Sequence, residues 1–278
     1  MRRFSHEWFF LIPITVFLGL FVFYPLTRIV FRSFTDNLTG HFTLQNYVNF
    51  FTQARYLGPL RNTLWFAGVC TLVGAVGGTF VGLLASRMSP KVRSILLSFY
   101  SLPMTLSSLV VAFAFIVLLG RSGVFNIILN RYFGLPRFDL YSWEGLIVTY
   151  SFYNIPLMTL TMASVFLNLD RSLIEAARNL GAKAWQVWIY IIIPVLAPGF
   201  VAGISIVLAG MLAAFGTALA LTGMAKPLFA LQIYSHASEG NYDISQASAL
   251  AVVLIVVIVG SLVALNWIER QLRPGGGQ

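Results

Sequence analysis

A single cysteine, Cys70, in 278 residues leaves no intrachain disulfide and no cysteine-based metal cluster. The three histidines, His6, His41 and His236, lie far apart in different loop or terminal regions, so a shared metal site is not expected. Acids are scarce, at nine of 278 residues, and they form no converging set with histidine and serine of the kind a membrane-face enzyme needs. Almost no formal charge falls deep in an apolar run. Ion-coupled transporters keep such groups because they are expensive in lipid and serve coupling, so the energy source is expected outside this chain. A phosphate-binding Gly-x-x-x-x-Gly-Lys-Ser/Thr is also missing: Gly77-Gly78-Thr79-Phe80-Val81-Gly82 has glycines, but Leu83 stands where lysine is needed. The chain therefore cannot hydrolyse ATP by that route. Its net charge of +9 is scattered through loops rather than gathered on one face. That pattern fits contact with anionic membrane lipid and not with nucleic acid.

What is abundant is apolar sequence. The chain is 58% hydrophobic, only 10% charged, and has a mean hydropathy of +0.82, beyond the apolar share of ordinary globular domains. About twenty consecutive apolar residues cross a bilayer as a helix, whereas a barrel shows short alternating segments. Six such runs occur, at about 8–30, 62–86, 95–119, 143–167, 194–221 and 245–267. They predict an all-α polytopic membrane protein forming a single transmembrane domain over 1–278. The first run is too long for a removed signal peptide and lacks its cleavage site, so it is expected to remain as a span.

Basic residues give the orientation. Arg2 and Arg3 precede the first run. Arg87, Lys91 and Arg93 crowd the link between the second and third, Arg171, Arg178 and Lys183 lie between the fourth and fifth, and Arg270 and Arg273 follow the sixth. With six spans these regions share one side, predicted to be cytoplasmic, together with both termini. The other loops also carry arginines, mixed with acids.

Polar and proline residues mark the runs where a path could open. Pro103, Thr105, Ser107 and Ser108 break the third run near its start. Tyr150, Ser151, Tyr153, Asn154 and Pro156 interrupt the fourth, and Phe215, Thr217 and Thr222 mark the fifth. Broken backbone at membrane depth is tolerated where it faces protein or a water-filled cavity. Ser107, Ser108, Tyr150, Tyr153, Asn154 and Thr217 are the candidate path residues, with Tyr150 and Asn154 one turn apart; interhelical hydrogen bonding is the alternative use of each. Gly74, Gly78 and Gly82 repeat at four-residue spacing, which suits close helix packing or a moving interface. The segment from Met224 to Asp243, with Lys226, Pro227, His236, Glu239 and Gly240, reads as an outward loop, a solvated connector or a meeting point for another protein.

The most specific pattern lies between the fourth and fifth runs. Glu175-Ala176-Ala177-Arg178-Asn179-Leu180-Gly181 is followed after nine residues by Ile191, Ile193 and Pro194. Ser172 with Glu175 is expected to form a capping box at the start of a short helix. Ala176 and Ala177 leave one face thin, and Gly181 is a natural stop because glycine takes the left-handed conformation freely. A second helix is expected through Trp185, Trp188 and Ile189 until Pro194 opens the next run.

This spacing resembles the EAA motif of permease subunits of ATP-binding-cassette importers, with Ile193 in place of the penultimate leucine. The resemblance implies that the loop is a cytoplasmic coupling helix, with Glu175, Ala176, Ala177 and Gly181 contacting a separate ATPase subunit. It further implies a bacterial inner-membrane complex of two permease subunits, the same chain or different ones, two ATPase subunits holding ATP and magnesium, and an extracytoplasmic substrate-binding protein. No cofactor is then expected on this chain. Asn179-Leu180-Gly181, in place of the Ile-Asp-Gly of sugar permeases, together with the early Phe42-Thr43-Leu44-Gln45-Asn46-Tyr47, is similar to the branch serving polyamines, phosphonates, ferric iron, thiamine, molybdate and sulfate. Within it, polyamine or 2-aminoethylphosphonate is the expected cargo, with ferric iron or an oxyanion as the alternative. An ion-coupled secondary transporter is the rival from another class.

Overall fold

The computed structural model describes residues 7–238 and 242–272, so Arg2, Arg3, His6, Glu239, Gly240 and Arg273 lie outside the described residues. Among the described residues there is no strand beyond one isolated bridge between Thr35 and Phe42. Among the described residues six helical stretches are long and apolar enough to cross a membrane: Ile12–Ser33, Ala54–Arg87, Ser108–Phe133, which breaks at 120–123, Trp143–Leu167, Ala184–Leu212 and Ile244–Gln271. The fold is all-α and membrane-spanning, as the hydropathy pattern predicts.

The boundaries carry corrections. The third span is not one helix over 95–119. A helix over Pro90–Thr105 ends at Leu106, whose ψ of 138° is extended, and a new helix runs over Ser108–Leu119. Ser107 caps the restart, its hydroxyl accepting the Val110 amide at 3.3 Å. The fifth span begins ten residues before Pro194, at Ala184, and stops at Leu212; a separate turn of helix covers Gly216–Thr222. The fourth is not interrupted, because Trp143–Leu167 runs through Pro156 as one helix. A proline is tolerated there because neighbouring helices can satisfy the backbone groups it frees.

Two other prolines are accommodated differently. Wide π turns at Gly19–Phe23 and Trp188–Ile192 each stop two residues before a proline, Pro25 and Pro194. A proline ring collides with the carbonyl four residues back and offers it no N–H. Widening the preceding turn redirects those carbonyls, and the helix continues.

The chain divides into two compact units. One comprises Met1–Leu60 and Phe229–Val256. Its core is Phe50, Tyr56, Phe229 and Leu250, with Leu60, Ile233, Val253 and Leu254 packed around it. A polar knot holds its chain turns: the Asn46 side-chain amide donates to the carbonyls of Ser33 and Thr35, both at 3.0 Å, and Gln246 donates to the Asn46 carbonyl at 3.1 Å. The segment read as an outward loop contains a helix over Phe229–Ala237 with Phe229, Leu231 and His236 buried. Its mixed composition hid the apolar stripe that this core needs. His236 stacks near Tyr56, with centroids 5.6 Å apart, and burial pushes its imidazole below the usual histidine range.

The other unit comprises Arg61–Leu228 and Val257–Gln278. Here the glycine stripe is a packing surface. A Cβ added at Gly74 would lie 2.8 Å from the Asn154 Cβ, one at Gly78 would strike Met158, and one at Gly82 would lie 3.0 Å from Met162. Ala75, Met158 and Met162 form the core beside it, with Phe166, Phe200 and Ile204. Cys70 is fully buried in the second span.

Candidate coupling element and transport path

The link between the fourth and fifth spans folds as a short amphipathic helix over Arg171–Asn179, a tight turn, and a second helix from Ala184 that continues into the fifth span. The capping residue is Asp170 and not Ser172. Asp170 has extended backbone, with ψ 113°, and its carboxylate accepts the Ser172 amide at 2.9 Å. Ser172 therefore sits inside the first turn, and the expected reciprocal bond with Glu175 does not form. The Ser172 amide, and after it the Ser172 hydroxyl, hold the exposed Asp170 carboxyl below the usual carboxylate range.

At the other end Gly181 takes φ +81°. Its amide donates to the Arg178 carbonyl at 2.9 Å, and the Ala182 amide reaches the Ala177 carbonyl at 3.0 Å. This pair of bonds is the Schellman closure, which satisfies carbonyls the helix end would leave open. The second helix is capped by Gln186, whose side-chain oxygen accepts the Lys183 amide at 2.7 Å.

These caps fix which groups face outward. Ile174, Ala177 and Ala182 pack with Val187, Ile192 and Leu196 against Val165, Phe166 and Leu169. Glu175, Ala176 and Gly181 are exposed on the other side. Leu180 stands 89% exposed at the apex, beside a cleft of about 330 Å³ lined also by Ala182, Gln186 and Tyr190. A large apolar side chain displayed this far out, next to a concavity, is a feature of contact surfaces. Its position just before the glycine was visible in the sequence, but its exposure follows from the Gly181 turn.

The candidate path residues are only partly brought together. The two breaks meet: the Thr217 hydroxyl donates to the Ser108 carbonyl at 3.3 Å, and a side chain at Gly216 would strike the Ser108 hydroxyl. Tyr150 joins them, its phenol oxygen accepting the Ala218 amide at 3.2 Å. The Tyr153 hydroxyl, one turn on, is buried near Thr217 and meets no hydrogen-bond geometry among the described residues. Asn154 turns elsewhere. It is buried against the glycine stripe and donates to the Cys70 carbonyl at 3.4 Å. Ser107 is exposed at its helix start. Ser108, Thr217, Tyr150 and Tyr153 thus form one polar knot where two helices begin, with Ser107 at its edge and Asn154 in a separate packing contact. Ala218 was missed by sequence reading, since only its backbone takes part.

Six apolar spans, a polar knot where two helices begin and a capped helical element between the fourth and fifth spans define an integral-membrane protein. Residues 78–274 match the family described as binding-protein-dependent transport system inner membrane component, and the chain belongs to that family. It is 30% identical over 210 residues to the spermidine/putrescine transport system permease protein PotB of Haemophilus influenzae, covering 73% of each chain. It is 27% identical over 263 residues to the ferric transport system permease protein FbpB of Actinobacillus pleuropneumoniae; 94% of this chain aligns, but it spans only 38% of that relative's length. In three dimensions it is similar to a chain of a bacterial transporter for the import of alginate, with TM-score 0.79, 21% identity and 95% of both chains covered. The chain is an inner-membrane permease component of a binding-protein-dependent transport system.

Proposed function

We propose that this chain is one of two permease subunits enclosing a path for a small charged solute, and that the element 170–192 docks on a separate ATPase subunit. The observation that carries the docking is the outward display of Glu175, Ala176, Gly181 and Leu180 on a helix closed at both ends, while Ile174 and Ala177 tie it to the fifth span. A rigid helix packed at its base transmits displacement, whereas a frayed loop absorbs it. ATP and magnesium belong on the two ATPase subunits, whose closure moves both coupling helices and switches the spans between inward and outward access. A substrate-binding protein delivers cargo on the opposite face. This orientation places the coupling element and both termini in the cytoplasm of a bacterium, with the spans in its inner membrane.

The cargo is a polyamine or 2-aminoethylphosphonate. The likeness to a spermidine/putrescine permease supports an amine. A second reading is ferric iron or an oxyanion: the likeness to a ferric permease supports the first of these, and the polar knot favours the second, since hydroxyls and the start of the Ser108–Leu119 helix gather there without a carboxylate among the named groups. A helix start carries partial positive charge and suits an anion. Uptake by cells in which this system is the sole route separates the two. Saturable uptake of labelled putrescine or 2-aminoethylphosphonate supports the first reading. Uptake confined to ferric iron, molybdate or sulfate overturns it for the second.

A further inference from the structure

Beyond the path and the coupling contact, the second unit carries a long apolar groove of about 920 Å³ between the second, fourth and fifth spans. Leu72, Ala75 and Phe80 line one wall, Met162 the floor, and Phe200 and Ile204 the other wall. Towards the coupling element it runs into a smaller cleft of about 200 Å³, and the two share Leu83, Phe166 and Trp188. The smaller cleft changes character: Ser86 and Arg87 line it, and so does Ile174 of the coupling helix. Just beyond, residues 87–93 hold Arg87, Lys91 and Arg93 with no acid among them.

We propose that this continuous groove binds an anionic phospholipid, with its acyl chains along the apolar part and its phosphate at Arg87, and that the bound lipid steadies the coupling helix. The inference rests on the membrane orientation proposed above. The groove matches a phospholipid's chemistry from its apolar end to its basic end. The apolar length lies within three membrane-spanning helices, where hydrocarbon is the surrounding solvent. A tryptophan, Trp188, stands where the groove passes to its polar end, the depth at which indole rings sit at a membrane interface. The cations lie at the end facing the anionic leaflet, and basic clefts between spans on that side suit phosphate head groups. An apolar helix of another subunit would fill the hydrocarbon part but supplies no anion for Arg87. Because Ile174 lines the head-group cleft and packs with Val187 and Ile192, an occupant there touches the base of the coupling element directly.

The test uses the complete complex purified in mild detergent and examined by native mass spectrometry, with phosphatidylglycerol and phosphatidylcholine added as competing probes. The parent is expected to retain phosphatidylglycerol in preference. Arg87→Gln is expected to cut that retention about fivefold, the effect of one interfacial cation, and Ala197→Trp, which fills the groove wall, is expected to abolish it. Hydrogen exchange over 171–181 is expected to quicken in both variants. Equal retention of the two lipids by the parent, or unchanged retention in Arg87→Gln, overturns the proposal. So does efficient cross-linking of Ala197→Cys to a second permease subunit, which assigns the groove to a protein helix. The same spectra record whether ATPase subunits are present, so a failure of the importer reading is seen separately from a failure of lipid binding.

Discussion

The Ala182 amide donates to the Ala177 carbonyl at 3.0 Å across a turn that only Gly181, at φ +81°, makes without strain. This bond joins the end of the Arg171–Asn179 helix to the start of the helix that becomes the fifth span. A β-carbon at Gly181 meets nothing in the subunit itself within 4 Å, so the cost of substitution is conformational within the chain.

Gly181→Ala is expected to cost about 1–2 kcal/mol from the left-handed backbone alone. Gly181→Asp adds a charge at the proposed contact surface. Its expected phenotype is normal insertion and expression with uptake and ATPase association lost. Quantifying membrane-inserted protein beside retained ATPase checks this.

Asp170 caps the same helix from the other end. Asp170→Ala is expected to fray the first turn, seen as faster hydrogen exchange of the Ser172 amide, while Asp170→Asn keeps an acceptor and retains protection. The pH dependence has a definite sign. The native carboxyl titrates below its unfolded value, so its contribution is complete above the ordinary aspartate range near pH 3.9 and is lost as pH falls through the lower native value. Protection in the parent should therefore stay flat at neutral pH and drop only in strong acid, and the drop should be absent in Asp170→Asn.

The glycine stripe makes a steric prediction. A Cβ at Gly78 would strike Met158 and lie 2.8 Å from both the Ile155 carbonyl oxygen and the Thr159 nitrogen. Backbone cannot move aside as a side chain can. Gly78→Ala is expected to lower stability by about 1–3 kcal/mol, the usual range for overpacking, read as a fall in the unfolding midpoint in detergent. Gly68→Ala, with nothing within 4 Å, is the matched control and should change little.

Thr71 is 7% exposed, and its hydroxyl finds no partner among the described residues. An unsatisfied buried hydroxyl costs roughly 1–3 kcal/mol. Thr71→Val keeps the shape and removes that group, so the unfolding midpoint should rise or hold. A marked fall would show that the hydroxyl is satisfied within the assembled complex.

The spans were legible in the sequence because lipid imposes a length and a composition that few other contexts demand. Six runs and six membrane-length helices coincide in number, and the fourth coincides in both ends, Trp143 and Leu167. The helix and turn between the fourth and fifth spans were legible from the motif's spacing, with Gly181 as the stop. What escaped was decided by backbone angles and partners. The choice of Asp170 over Ser172 as cap depends on ψ at residue 170, and both residues are good caps by type. The meeting of Thr217 with Ser108 spans 109 positions and is set by packing. Asn154 and Tyr150 share a helix, yet one faces the Cys70 backbone and the other the Ala218 amide, because their neighbours differ. The helix over Phe229–Ala237 lacked a hydropathy signal because it buries a narrow stripe and not a whole surface.

The most direct test of the coupling role is affinity purification of the tagged chain from native membranes in mild detergent, with every stoichiometric partner identified by mass spectrometry. The expected result is an ATPase pair and a second permease subunit, with the ATPase lost on Gly181→Asp while the permease pair remains. Recovery of the chain without any ATPase, with transport intact after reconstitution, would contradict it.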